Sequence, residues 1–156
     1  MATRAIFDLS PGMSVGSGVF DDDHRVVLEL AALLQDIRPG AEHRALVLSV
    51  IGVLDECLGG HFLREERAMR SGGHYRFAEH RQEHVQFRRR IRADLAAYRD
   101  GLMAVARDLP YMVAAWVRRH ILLEDRAYDG WNKGKRIDRR PLAFLALEAE
   151  PKVRHR

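Results

Sequence analysis

The sequence predicts an all-α protein: an antiparallel, up-down-up-down four-helix bundle with an N-terminal loop and a basic C-terminal extension. Three observations lead there. Apolar residues recur at alternating three- and four-residue steps through four long segments. The breaks between those segments are short and hold glycine or proline, as connections between antiparallel neighbours do. A chain of 156 residues, 47% hydrophobic and 31% charged, is sufficient for one domain with a core and too short for two.

The elements follow in order. Residues 1–20 contain Pro11 and the run SVGSG, and are expected as loop. A first helix is expected from Asp21, a good N-cap, to Ile37, where RPG stops it; its inner face is His24, Val27 or Leu28, Ala31 and Leu34. The second runs from Ala41 to Arg70 and ends at SGG. Its inner stripe is Val47, Val50, Leu54, Cys57, His61, Glu65 and Ala68. A third, from His74 to Tyr98, shows the cleanest stripe: Phe77, His80, His84, Phe87, Ile91, Leu95 and Tyr98. The fourth is expected from a cap near Asp108, with Pro110 in its first turn, to Tyr128; it turns Leu109, Met112 or Val113, Trp116, His120 and Leu123 inward. The bundle domain is thus residues 21–130, and residues 131–156 form a basic tail in which PLAFLALEAEP can make a two-turn helix.

Charge and cysteine usage narrow the function classes. The net charge of +4 divides unevenly: residues 131–156 hold eight Lys/Arg against three Asp/Glu, leaving 18 basic and 19 acidic groups in residues 1–130. The basic character therefore belongs to the tail, and the body offers no nucleic-acid-binding face. No apolar run approaches the roughly 18 residues that span a bilayer, and the N-terminus lacks the h-region of a secretory signal, so neither membrane insertion nor export is expected. Cys57 is the single cysteine, which excludes an intrachain disulfide; a cytoplasmic location is the expectation.

The inner stripes carry the chemistry. His61, Glu65, His80, His84 and His120 stand where leucine or valine belongs, and His24 joins them from the first helix. Residues four apart lie one turn apart on one face, so His61 with Glu65, and His80 with His84, each present two donors to one interior spot. One histidine on an apolar face is usually a satisfied core residue. Several at matching depth, with a carboxylate among them, point to a metal that satisfies all of them at once, because unpartnered buried polar groups cost several kcal/mol each. Near His120 the spacing leaves a choice of acid: Glu124, at i+4, shares its face better than Asp125.

The segments DDDH with Leu28, HFLREERAM, HRQEHVQF and WVRRHILLEDRAY resemble, in order and spacing, the signature of the hemerythrin family, specifically single-domain bacterial members, over roughly residues 13–128. The resemblance selects Asp125 over Glu124. It implies a non-haem di-iron centre, with His80, His84 and His120 on one iron and His24 and His61 on the other, which keeps an open position. Glu65 and Asp125 would bridge the pair with an oxo or hydroxo group. The implied activity is reversible binding of dioxygen, reduced to hydroperoxide while bound, by irons cycling between Fe2+ and Fe3+: a carrier or store rather than an enzyme. The other functions open to such a centre are sensing of oxygen or nitric oxide through a partner protein, and enzymatic turnover of peroxide or nitric oxide.

Phe62, Phe87, Trp116, Val117 and Ile121 match positions that pack near the centre in the family, where a dry pocket would slow autoxidation. Val117 stands where a leucine is frequent, which implies a roomier pocket and faster autoxidation. Asp23 replaces a glutamine common before the first histidine, and Phe7-Asp8 replaces Trp-Asp; both are expected at the rim, touching no ligand. Cys57 is read as a small buried hydrophobe, Tyr128 as a bond within the bundle end, and His43, His74 and His155 as surface residues. The tail is expected either as a disordered basic end or as an element that recognises an acidic protein partner or packs on the bundle near the oxygen route.

Overall fold

The computed structural model of the protein describes residues 4–15, 18–123 and 137–150. Among these, every regular element is helical. Two short 3-10 turns, Arg4–Phe7 and Pro11–Met13, precede α1 (Gly18–Asp36). A third, Ala41–His43, leads into α2 (Arg44–Ser71); α3 (Phe77–Arg99), α4 (Ala104–Leu123) and α5 (Leu142–Ala149) follow. α1 packs against α2 and α4, α3 packs against the same two, and α5 lies along α2. The first four helices therefore enclose one core, in which Val27, Leu28, Ala31, Leu34, Ile51, Leu54, Leu58, Ile91, Leu109 and Val113 are excluded from water. Each of these faces repeats at three- and four-residue steps, the period that puts side chains on one side of an α-helix.

Two connections are ended by glycine in the left-handed region. Gly73 (φ 65°) lets the His74 N–H reach back to the Met69 carbonyl at 2.9 Å, and Gly101 (φ 108°) does the same for Leu102 and Ala97 at 2.9 Å. The result is a tight connection after α2 and after α3.

The structure departs from the sequence reading at several ends. Asp21 does not cap α1, which begins three residues earlier. Its carboxylate instead accepts from the Ser14 hydroxyl (2.6 Å) and the Val15 N–H (3.1 Å), pinning the N-terminal segment, whose Phe7, Met13 and Val15 are buried. α4 begins at Ala104, so Pro110 lies inside it and Asp108 is an exposed partner of Arg107 at 2.8 Å. Proline deletes one intrahelical hydrogen bond there; the early start buries Val105 and Leu109, which offsets that loss. Leu123, expected inside, is exposed, and Cys57 is only half-buried. By length and apolarity the span Ala41–Ser71 reaches bilayer-crossing size, contrary to the sequence expectation, but 56% of its apolar window is buried inside the fold, where it supplies the core. The end expected for the fourth helix, including Tyr128, lies outside the described residues, as does His155.

Candidate metal centre

Four helices each contribute to one interior cluster: His24 from α1, His61 and Glu65 from α2, His80 and His84 from α3, and His120 from α4. All six are at most 5% exposed. Their donor atoms fall into two groups that share Glu65, one with His80, His84 and His120 and the other with His24 and His61. Within each group the atoms lie within 4.8 Å of one another. The sharing is literal. Oε1 of Glu65 is 2.7 Å from His61 Nε2 and 3.5 Å from His24 Nε2; Oε2 is 2.9 Å from His80 Nε2 and 3.3 Å from His84 Nε2. The i, i+4 step on α2 places His61 over Glu65, and the same step on α3 places His80 beside His84.

The spacings suit a cation. His84 Nε2 and His120 Nε2 are 3.1 Å apart, and His120 Nε2 and His80 Nε2 are 3.2 Å apart. Two donors held at about 2.1 Å from one first-row metal, at right angles to each other, are themselves about 3.0 Å apart. Three imidazole nitrogens converging at that distance cannot satisfy each other with protons, since each neutral ring has one donor and one acceptor nitrogen. A metal ion accepts all three lone pairs. The set of five imidazoles and one shared carboxylate fits non-haem iron.

Electrostatics without metal agree with that reading. Burial would lower the His61 pKa, but the Glu65 carboxylate and the hydrogen bond to Asp23 outweigh it and push the imidazole up to about 10. Burial would likewise raise Glu65; His61, His24 and His80 together hold it well below the usual carboxylate range. A buried anion is thus kept ionised by one buried cation, His61, and by hydrogen bonds from neighbouring imidazoles, a role that bound metal would take over on displacing the proton.

The outer nitrogens of three rings face carboxylates. His61 Nδ1 is 2.9 Å from Asp23 Oδ2, His120 Nδ1 is 3.4 Å from Glu83, and His84 Nδ1 is 3.8 Å from Glu66. The Asp23 contact is a hydrogen bond, of the kind that fixes ring orientation and raises ligand basicity; the other two are longer, electrostatic approaches. Asp23 therefore touches a candidate ligand, against the expectation that it sits at the rim. It is 3% exposed and is held by Arg64 Nε at 2.8 Å. The carboxylate swings inward because Arg64, on the adjacent turn of α2, supplies the compensating charge.

An apolar wall closes the cluster. Phe62 stacks face to face on His84 (centroids 3.9 Å, 5° between planes) and Trp116 on His120 (4.3 Å, 13°), while Phe87 stacks on Trp116 (3.9 Å, 3°). Between these rings and the α1 side is a void of about 10 Å³, lined by His24, His61, Phe62, Trp116, Val117 and Ile121 among others. That is at the lower limit for a single water. Cys57 joins neither donor group. His43 and His74 are partly exposed and belong to neither donor group. Asp125 and its rival Glu124 lie outside the described residues.

Residues 15–129 match the family model described as the hemerythrin HHE cation binding domain. The chain is similar to curated proteins named bacteriohemerythrin: it is 28% identical over 116 residues to those of Pseudomonas paraeruginosa (strain PA7) and Pseudomonas aeruginosa (strain LESB58), with 74% of both chains covered. To that of Stenotrophomonas maltophilia (strain R551-3) it is 29% identical over 119 residues, again with 74% of each covered.

Proposed function

The chain belongs to the hemerythrin family, and from that premise we propose that it binds dioxygen reversibly at a non-haem di-iron centre, as a carrier, store or delivery protein. The observation that carries this reading is the division of Glu65, whose two oxygens face two different sets of imidazoles. His80, His84 and His120 would hold one iron, and His24 and His61 the other, with Glu65 offered to both. Asp125, five residues after His120 in the sequence, would supply the second carboxylate. A reduced iron pair supplies two electrons and an open coordination position, the chemistry that dioxygen binding requires.

The chain's own residues set the character of that chemistry. Oxygen-activating di-iron bundles typically carry four glutamates and two histidines. This centre carries five imidazoles, which stabilise high-valent iron less than carboxylates do and favour release of the ligand unchanged. The small apolar void beside His24, His61 and Val117 lies on the side of the centre that keeps fewer ligands, and the rings of Phe62 and Trp116 hold His84 and His120 in place while excluding water. We read α1–α4 as an antiparallel up-down-up-down bundle, which their mutual packing and short connections support.

The test is optical. Oxygen added to anaerobically reduced, iron-loaded protein should raise a charge-transfer band that purging abolishes, over repeated cycles. Irreversible conversion accompanied by turnover of peroxide or nitric oxide would replace this reading with an enzymatic one.

A further inference from the structure

Arg64 heads the fully buried side chains by size, at 1% exposure. A guanidinium removed from water is tolerated only when its donors are met, and all its contacts lie on one path. Nε and Nη2 reach Asp23 Oδ2 (2.8 Å) and Oδ1 (3.3 Å), and Nη1 donates to the backbone carbonyl of Asp138. The same Asp23 oxygen that takes the Nε bond lies 2.9 Å from His61 Nδ1. One continuous line of hydrogen bonds therefore joins the segment before α5 to a candidate metal ligand.

That segment is seated by features of α2 itself. A Cβ at Gly60 would lie 2.7 Å from the backbone nitrogen of Ala146 and 3.0 Å from the Leu142 carbonyl, so only glycine admits α5 at this distance. The Arg88 side chain crosses the neighbouring Gly59 and pairs with Asp55 (3.1 Å) and Glu150 (3.0 Å). Leu145 is fully buried on α2, and Glu148 binds Arg67 at 2.6 Å. Glycine inside a helix is destabilising relative to alanine; the close approach of α5 and of Arg88 accounts for both glycines.

We propose that Arg64 is a positioning residue that couples the C-terminal segment 137–150 to His61 through Asp23, so that docking of α5 on α2 tightens the hold on one of the two metals. The coupling rests on the metal reading given above. Loss of a partner behind a ligating histidine weakens metal binding by about ten- to a hundredfold. With α5 seated, Arg64 is fixed at three points and presents Asp23 to His61. With α5 displaced, the Asp138 carbonyl withdraws, Arg64 gains water and freedom, and the restraint on the His61 ring loosens.

Full-length protein is loaded anaerobically with ferrous iron, and release to an excess of ferrous chelator is followed in wild type, Arg64→Lys, Leu145→Asp and the double variant. One of the two irons should leave about tenfold faster in Arg64→Lys and at least about threefold faster in Leu145→Asp, by partial loss of the same restraint. The double variant should be no faster than Arg64→Lys alone. The other iron should keep its wild-type rate throughout. Exchange of the His61 Nδ1 proton, read by NMR on metal-free protein, should quicken in both single variants, which a packing role for Arg64 would not produce. Gly60→Ala displaces α5 by a methyl group and replaces Leu145→Asp if that chain does not fold. Wild-type release rates in either single variant, equal acceleration of both irons, or effects that multiply in the double variant would overturn the coupling. A wild-type chain that holds no iron would instead overturn the metal reading.

Discussion

Replacing Phe62 by alanine separates what the apolar wall does for stability from what it does for the centre. Phe62 is 3% exposed, stacks on His84 at 3.9 Å, and meets Phe87 and Trp116 edge-on at 6.5 and 5.7 Å. Burial this complete places Phe62→Ala at about 3–5 kcal/mol. For a chain of this length each kcal/mol lowers Tm by about 2–4 °C, so a fall of about 6–20 °C is expected in thermal melts. The second effect is chemical. The void of about 10 Å³ beside His24 and His61 now barely accommodates one water; without the ring it holds several, and the oxygenated protein should autoxidise faster, followed as decay of its charge-transfer band. Ile91→Ala is the control. Ile91 is fully buried on α3, two turns and about 10 Å beyond His84, so it should lower Tm by a similar amount and leave autoxidation unchanged. Equal acceleration in both variants, or none in Phe62→Ala, would refute the assignment of Phe62 as a water shield.

Other outcomes follow from the same geometry. Val117→Leu adds a methylene at the void wall and should slow autoxidation; an unchanged or higher rate would contradict the roomier-pocket reading. Burial first, then Glu56 and Asp23, raise the Cys57 thiol above its ordinary value, so less of it is thiolate at neutral pH. Its labelling by iodoacetamide should be slower than that of an unfolded control at pH 7.5 and should rise with pH beyond the usual thiol range. The His61 imidazole, raised to about 10 in the metal-free chain, contributes stability that is complete below its ordinary value of 6.5 and is lost as pH rises through 10. Tm of the metal-free protein should therefore fall across that window. A rise in Tm over the same window would contradict the ion pairing.

The centre was legible because its residues break a rule locally. A histidine or glutamate at an inner helical position conflicts with the stripe around it, and His61, Glu65, His80, His84 and His120 each announce themselves that way. The second layer carries no such mark. Asp23 sits one residue before His24 on a polar run, DDD, and only the crossing of α1 with α2 reveals that it turns inward to Arg64 and His61. Glu66 and Glu83 look like solvated acids until the ring nitrogens of His84 and His120 are placed beside them. Pro110 misled the reading of α4, since proline is most at home in a first turn, and burial of Val105 and Leu109 outweighed that local preference. The Gly59-Gly60 pair is the local mark of α5: adjacent glycines inside a long helix accompany close approach of another chain segment.

The most direct measurement is the iron content of protein reconstituted anaerobically with ferrous ion, in wild type and in Glu65→Ala. The account predicts two irons per wild-type chain and a clear loss from the variant, because Glu65 is the one described carboxylate common to both donor groups. Fewer than two irons in wild type, or two held undiminished without Glu65, would contradict it.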